Sequence, residues 1–117
     1  MSEGRLTVHV LDTARGTPAA GIALDLFRLD AAGRTHLGQW RTNADGRCDT
    51  PLLAGAALTA GAYEVVFAVR PWRAARGEPD PGFYDDIPIR FQVSDPTAHY
   101  HVPLLIAPHG YTTYRGS

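Results

Sequence analysis

Short stretches of alternating apolar and polar residues are the feature that most constrains how this chain can fold. Leu6, Val8 and Val10 alternate with polar neighbours, and residues 22–29 and 87–93 repeat the pattern. Successive side chains of a strand point to opposite faces, so a period of two gives a strand one apolar face. The 12 glycines and 9 prolines divide the chain between these stretches. This pattern predicts an all-β protein, a two-sheet β-sandwich of about eight strands.

The alternation also sets the expected element boundaries. Hairpin turns are predicted at residues 31–33 (AAG) and at residues 43–46 (NADG), both of which end in glycine. One short helix is expected at residues 71–76. A chain of 117 residues has the size of a single domain, assigned to residues 1–117. Strands are predicted at residues 6–11, 22–29, 36–42, 63–69, 87–93, 100–106 and 111–115, with a further short strand beginning at Arg47.

Charge and composition exclude several classes of partner. The chain has 11 basic and 12 acidic residues and a formal charge of −1, which argues against nucleic acid or an anionic membrane as a partner. Its apolar runs, such as residues 65–69, are too short to cross a bilayer, and residues 1–10 contain no apolar stretch of signal-peptide length. Cys48 is the single cysteine, which excludes an internal disulfide. We therefore expect a cytoplasmic protein.

Strand parity places two histidines on outer sheet faces. His9 alternates with the apolar residues of its strand, and His101 does the same in the predicted strand 100–106. Leu11 and Leu105 share those outer faces, which predicts that another subunit covers them. Burial by a subunit would lower the pKa of each imidazole and keep it neutral and basic.

The remaining histidines leave a metal site open as an alternative. His99 and His101 are spaced to lie on one strand face, and with His9 they would form a three-histidine zinc site. No carboxylate lies close in sequence to orient these ligands, so we predict no metal and no cofactor. His36 and His109 are interpreted as surface side chains without a functional role.

Arg47 and Cys48 follow the predicted turn at residues 43–46. Arg47 is either a solvated charge at a strand end or a planar fork that binds a carbonyl or anionic oxygen. Cys48 is interpreted as a small filler, because only Arg47 would lower the pKa of its thiol.

Several segments resemble a known family. Residues 100–105 (YHVPLL) and 111–117 (YTTYRGS) resemble the C-terminal signature of the 5-hydroxyisourate hydrolases, which are related to transthyretin. Residues 8–12 (VHVLD) with 16–19 (GTPA), and residues 42–47 (TNADGR), resemble the other signatures of that family. The resemblance extends essentially from residue 6 to residue 117.

The resemblance implies both a fold and an activity. The family fold is a transthyretin-like two-sheet sandwich with one short helix, assembled as a homotetramer with active sites at the dimer–dimer interface. The implied reaction is hydrolysis of 5-hydroxyisourate to 2-oxo-4-hydroxy-4-carboxy-5-ureidoimidazoline in urate degradation, without a cofactor. Two alternatives stay open: a transthyretin-like protein that binds a small ligand, and a zinc amidohydrolase.

The resemblance also implies the site residues. His9 and His101 would converge on the attacking water, and Arg47 would hold the substrate oxygens. Ser117 would hydrogen-bond His101 or the water, and the Tyr114 ring would form one wall of the pocket. The predicted catalytic residues are His9, Arg47, His101 and Ser117, and the predicted substrate-binding residues are Arg47, Tyr114, Arg115 and Gly116.

Overall fold

The computed structural model describes residues 3–117, which form a two-layer β-sandwich with one short helix. The helix, α1 (Val69–Ala75), confirms the expected position of the single helix. A 3-10 turn covers Gly55–Ala57. The strands are β1 (Arg5–Asp12), β2 (Thr17–Pro18), β3 (Ala23–Asp30), β4 (Gly33–Arg41), β5 (Leu53–Ala54), β6 (Gly61–Phe67), β7 (Ile87–Val93), β8 (His99–Ala107) and β9 (Gly110–Thr113).

The two sheets differ in how their strands pair. The second sheet has the order β4-β3-β6-β7 and is antiparallel throughout. The first sheet has the order β2-β1-β8-β9, with β5 also paired to β1. Its central pair, β1 and β8, is parallel, and Thr7 lies opposite His101 in that register. Two segments about ninety residues apart in sequence therefore lie side by side.

The predicted alternation is confirmed in the core between the sheets. Leu6 and Val10 of β1 and Leu104 of β8 are fully buried, as are Leu24 and Phe67 of the opposite sheet. Burying each such side chain contributes about 1.5–3 kcal/mol to folding. The inward residues of β1 and β8 fix the direction of the alternate residues, which point to the outer face of the first sheet.

The predicted strand beginning at Arg47 is wrong, and the hydrogen bonding of β1 explains why. The Val10 N–H donates to the Gly46 carbonyl at 2.8 Å, while the Val10 carbonyl accepts from Ala19 N at 2.9 Å. The Val10 carbonyl is therefore bonded to a different segment, and the Arg47 carbonyl accepts from Asn43 N at 2.7 Å within the turn, so no continuous ladder forms. Arg47 makes only an isolated bridge to His9.

Other boundaries also differ from the prediction, and β4 begins at Gly33 rather than at residue 36. The strand predicted at residues 63–69 ends at Phe67, because Val69 already begins α1. The last strand ends at Thr113, and Gly116 then returns to β8 through an isolated bridge to His101.

The helix is fixed by two side chains that reach backbone oxygens. The Trp72 indole N–H donates to the Ala20 carbonyl at 2.8 Å, and the buried Arg73 guanidinium donates to the Ala107 carbonyl at 2.8 Å. Among residues 3–117, no helix is long and apolar enough to span a membrane.

Two leucines on neighbouring strands test the assignment of the core. Leu24 of β3 is fully buried, whereas Leu37 of β4 is 40 % exposed. We expect Leu24→Ala to lower the free energy of unfolding by about 2–5 kcal/mol, because it removes buried methyl groups and leaves a cavity. Leu37→Ala should change it by less than about 0.5 kcal/mol. Denaturant titration measures both, and equal losses would contradict the assigned layers.

Candidate active site

The candidate site lies on the outer face of the first sheet, where β1 and β8 run parallel. His9 on β1 and His101 on β8 both point to this face, and their ring centroids are 6.3 Å apart. The His99 ring is 6.2 Å from that of His101. Three imidazoles from the two ends of the chain thus share one small area, with His9 and His101 half-buried and His99 exposed.

Thr7 connects two of these imidazoles. Its Oγ1 lies 2.8 Å from His101 Nδ1 and 3.0 Å from His99 Nε2, both within hydrogen-bond distance. The alternation of β1 puts Thr7 on the same face as His9, but alternation alone does not distinguish it from other outward residues. Only the parallel register with β8 places its hydroxyl between the rings.

Gly116 holds the His101 ring from the other side. The Gly116 N–H donates to the His101 carbonyl at 2.8 Å. A Cβ added at Gly116 would lie 2.5 Å from His101 Cδ2 and 3.2 Å from Pro103 Cγ. A side chain at this position would therefore displace the imidazole, so lack of space is the reason for the glycine.

The turn at residues 43–46 brings Arg47 to the site. The Asn43 Oδ1 accepts hydrogen bonds from the backbone N–H groups of Asp45 and Arg47, and Gly46 has a φ of 75°. The exposed Arg47 guanidinium forms no ion pair within the described part of the chain. It is therefore available to a ligand anion or carbonyl oxygen.

A pocket of about 260 Å³ joins Arg47 to the imidazoles. His9 lies beside this pocket rather than in its lining. The lining residues are Thr7, Val8, Arg47, Cys48, Thr50, His99, His101 and Ser117.

The environment keeps His9 and His101 neutral. Partial burial lowers the pKa of His9, and the nearby Arg47 charge lowers it further, against an opposing effect of Asp45. Burial is also the main cause that lowers the pKa of His101, followed by Arg47, His9 and His99. Both rings are therefore unprotonated bases near neutral pH. By contrast, burial raises the pKa of the Cys48 thiol to about 11, which makes it a poor nucleophile.

The tail residues lie around His101 in different places. Ser117 lines the pocket with Arg47, whereas Tyr114 and Arg115 line a neighbouring pocket of about 300 Å³ that also touches His101. The Arg115 guanidinium stacks 4.3 Å from the centroid of the Tyr100 ring and donates to the His99 carbonyl at 3.3 Å. Tyr114 is 57 % exposed. A wall formed by Tyr114 against a substrate ring stays a prediction.

The other two histidines contact surface carboxylates. His36 Nε2 is 2.7 Å from Asp25 Oδ1, and His109 Nε2 is 3.2 Å from Asp80 Oδ2. Within residues 3–117, no three His, Cys, Asp or Glu side chains are arranged to hold a metal ion. His99 Nε2 and His101 Nδ1 both lie within hydrogen-bond distance of the Thr7 hydroxyl.

Comparisons with known proteins identify the family of this chain. The HIUase/transthyretin family model matches residues 6–116. The 5-hydroxyisourate hydrolase of Mesorhizobium japonicum is 59 % identical over 116 residues, which cover 97 % of this chain and 93 % of that protein.

Solved structures show the same fold. A structure of the Klebsiella pneumoniae 5-hydroxyisourate hydrolase superposes with a TM-score of 0.81 at 36 % identity, covering 97 % of this chain and 94 % of that one. Transthyretin from Sparus aurata superposes with a TM-score of 0.86 at 29 % identity, covering 96 % of both chains. The transthyretin-like fold expected from the sequence is thus confirmed, and the chain belongs to the HIUase/transthyretin family.

Proposed function

We propose that this chain hydrolyses 5-hydroxyisourate to 2-oxo-4-hydroxy-4-carboxy-5-ureidoimidazoline. The main support is the pair of neutral imidazoles, His9 and His101, whose centroids are 6.3 Å apart beside the Arg47 guanidinium. A 5-hydroxyisourate hydrolase is 59 % identical to the chain over 93 % of its own length, which supports the same substrate.

The chemistry requires a base, an oxyanion partner and a proton for the leaving nitrogen. One imidazole takes a proton from water as the water oxygen bonds to a ring carbonyl carbon of the substrate. Arg47 holds the substrate oxygens and stabilises the negative charge that develops. The C–N bond then breaks, the nitrogen takes a proton from the imidazolium, and the new carboxyl group loses its proton. Ser117 lines the same pocket and would orient the water or His101.

The outer face of the site supports a multimeric assembly. Leu11 and Leu105 are half-buried on this face, to which His9 and His101 also point. We propose a homotetramer of single-domain chains, with this face at the dimer–dimer interface, acting in the cytoplasm without metal or cofactor. Contact with a second subunit would exclude water from the imidazoles and strengthen their electrostatic contacts with the substrate.

A small-ligand binding protein is the second candidate, because the Sparus aurata transthyretin has the same fold at 29 % identity. Turnover separates the two functions. A carrier would bind a purine-derived ring in stoichiometric amounts without opening it.

The first prediction concerns the two imidazoles. His9→Ala and His101→Ala should each lower kcat by about 10² or more, the scale expected for losing acid–base help. His109→Ala is the matched control, because that exposed imidazole bonds only to Asp80 in the described chain and should leave kcat unchanged. Steady-state kinetics on folded variants measures the effect. Full activity of both site variants would refute the assignment.

The second prediction concerns pH. The base must be neutral, and the pKa values of His9 and His101 both lie below 6.5, the ordinary histidine value. Activity should therefore fall as the pH drops below 6.5 and the imidazoles become protonated. The positive charge of Arg47 is one of the causes that lower the pKa values of these two imidazoles. Arg47→Gln should therefore shift the titration of His9 and His101 to higher pH, whereas Arg47→Lys keeps the charge and should leave it nearly unchanged.

NMR titration of the imidazole protons follows this shift without requiring activity. Identical titration curves for Arg47→Gln and the wild type would exclude the electrostatic contact between Arg47 and the two rings.

The third prediction concerns the space at Gly116. Gly116→Ala places a Cβ against the His101 ring and should lower kcat by about tenfold or more, since small displacements of catalytic groups are costly. Gly110→Ala is the matched control, because a Cβ there meets no atom within 4 Å. Both variants should keep the wild-type far-ultraviolet circular dichroism. Equal kcat values for the two would mean that the tail does not position His101.

A further inference from the structure

The Thr7 hydroxyl lies between the imidazoles of His101 and His99. The proposed reaction uses His101 as a catalytic group and gives His99 no role. Its Oγ1 is 2.8 Å from Nδ1 of the half-buried His101 and 3.0 Å from Nε2 of the exposed His99. The parallel register sets this arrangement, because Arg5 lies opposite His99 and Thr7 lies opposite His101. The three side chains form a continuous line from the site to the protein surface.

A hydroxyl has one hydrogen and two lone pairs, so Thr7 donates to at most one ring, and it can accept from both when its hydrogen points elsewhere. Two arrangements direct the Thr7 hydrogen to one of the rings. In one, His101 Nδ1–H donates to Thr7, and Thr7 donates to an unprotonated His99 Nε2. In the other, His99 Nε2–H donates to Thr7, and Thr7 donates to an unprotonated His101 Nδ1. The two arrangements leave neutral His101 as opposite tautomers, so the proton on one ring determines the form of the other whenever Thr7 donates to one of them.

We propose that Thr7 and His99 are positioning residues that hold His101 with its hydrogen on Nδ1 and its Nε2 free to accept a proton. The direction rests on the proposed function, because a neutral His101 that acts as a base at Nε2 must carry its hydrogen on Nδ1. Thr7 accepts that hydrogen, as orienting groups do for catalytic histidines in other hydrolases.

The surroundings of His101 also restrict the position and the charge of its ring. Gly116 lies against the Cδ2 edge so closely that no Cβ would fit between them. The Gly116 backbone therefore limits displacement of the ring towards the tail, and the 2.8 Å contact with Thr7 favours the orientation with Nδ1 towards Thr7. The charged and titratable groups that act on His101 are Arg47, His9 and His99, and all three oppose a positive charge on the ring.

The hydrogen bonds of Thr7 with His101 and His99 would also stabilise the imidazolium that forms during the reaction. When His101 Nε2 takes a proton from water, the Nδ1–H of the resulting imidazolium becomes a stronger donor, and the Thr7 oxygen is already in place to accept it. Thr7 in turn keeps an acceptor at His99 Nε2. No side chain has to reorient at that moment, which is the advantage of a preorganised site.

Imidazole nitrogen NMR tests the tautomer directly. Long-range proton–nitrogen correlation on uniformly ¹⁵N-labelled wild-type protein, above the titration of His101, distinguishes protonated from unprotonated ring nitrogens. We expect His101 to carry its hydrogen on Nδ1 and His99 to have an unprotonated Nε2. Hydrogen on His101 Nε2 instead would overturn the proposal. The result does not depend on turnover, so it stands even if the protein fails to hydrolyse 5-hydroxyisourate, an outcome that would refute only the proposed function.

Kinetics of matched variants tests the consequence. Thr7→Val removes the hydroxyl at nearly constant shape and should lower kcat by about tenfold with KM nearly unchanged, the scale of one lost hydrogen bond. Thr7→Ser restores the hydroxyl and should recover most of kcat. His99→Ala should lower kcat by a smaller factor and shift the His101 nitrogen signals towards a mixture of tautomers. Wild-type kcat in Thr7→Val, or equal losses in Thr7→Val and Thr7→Ser, would contradict a role for the hydroxyl.

Discussion

The parallel pairing of β1 with β8 is the constraint on which the site depends. It places residues from the two ends of the chain in register, with Leu6 beside Tyr100 and Thr7 beside His101. The same alternation that buries Leu6, Val10 and Leu104 turns the intervening residues outwards. A slip of one residue in this pairing would turn the core residues of a strand towards solvent. The burial of the core therefore also fixes the positions of the imidazoles.

Electrostatics complements this geometry. Partial burial and the Arg47 charge both lower the pKa values of His9 and His101. Two neutral bases therefore lie next to a cation. The same cation is without an ion-pair partner in the described chain, which leaves its hydrogen-bond donors for a substrate oxygen. The combination of neutral bases and a free cation suits water attack on a carbonyl more than it suits an apolar carrier site.

The parts of this arrangement that were predictable from the sequence are those set by local patterns. Strand parity is local, so the outward direction of His9 and His101 and the buried face of each strand follow from the alternation alone. The turn at residues 43–46 is also local, because Asn43 bonds to its own neighbouring backbone. Resemblance to a known family supplied the tetramer, the reaction and the roles of the tail, which alternation does not contain.

The parts that were not predictable depend on pairing between distant segments. The strand expected at Arg47 is absent because Ala19 is bonded to the Val10 carbonyl and the Arg47 carbonyl is bonded within the turn. Thr7 gains its place between the rings from the parallel register, which no local pattern indicates. The path of the tail after Thr113 likewise separates Tyr114 from Ser117, so that they line different pockets.

The most direct test of the central claim is the decay of 5-hydroxyisourate itself. The compound is generated in the cuvette from urate with uricase, this protein is added, and the ultraviolet absorbance is followed against the spontaneous background. Catalytic amounts of the wild-type chain should accelerate the decay in proportion to enzyme concentration, also in excess chelator. Decay at the background rate, with the protein folded and assembled, would contradict the account.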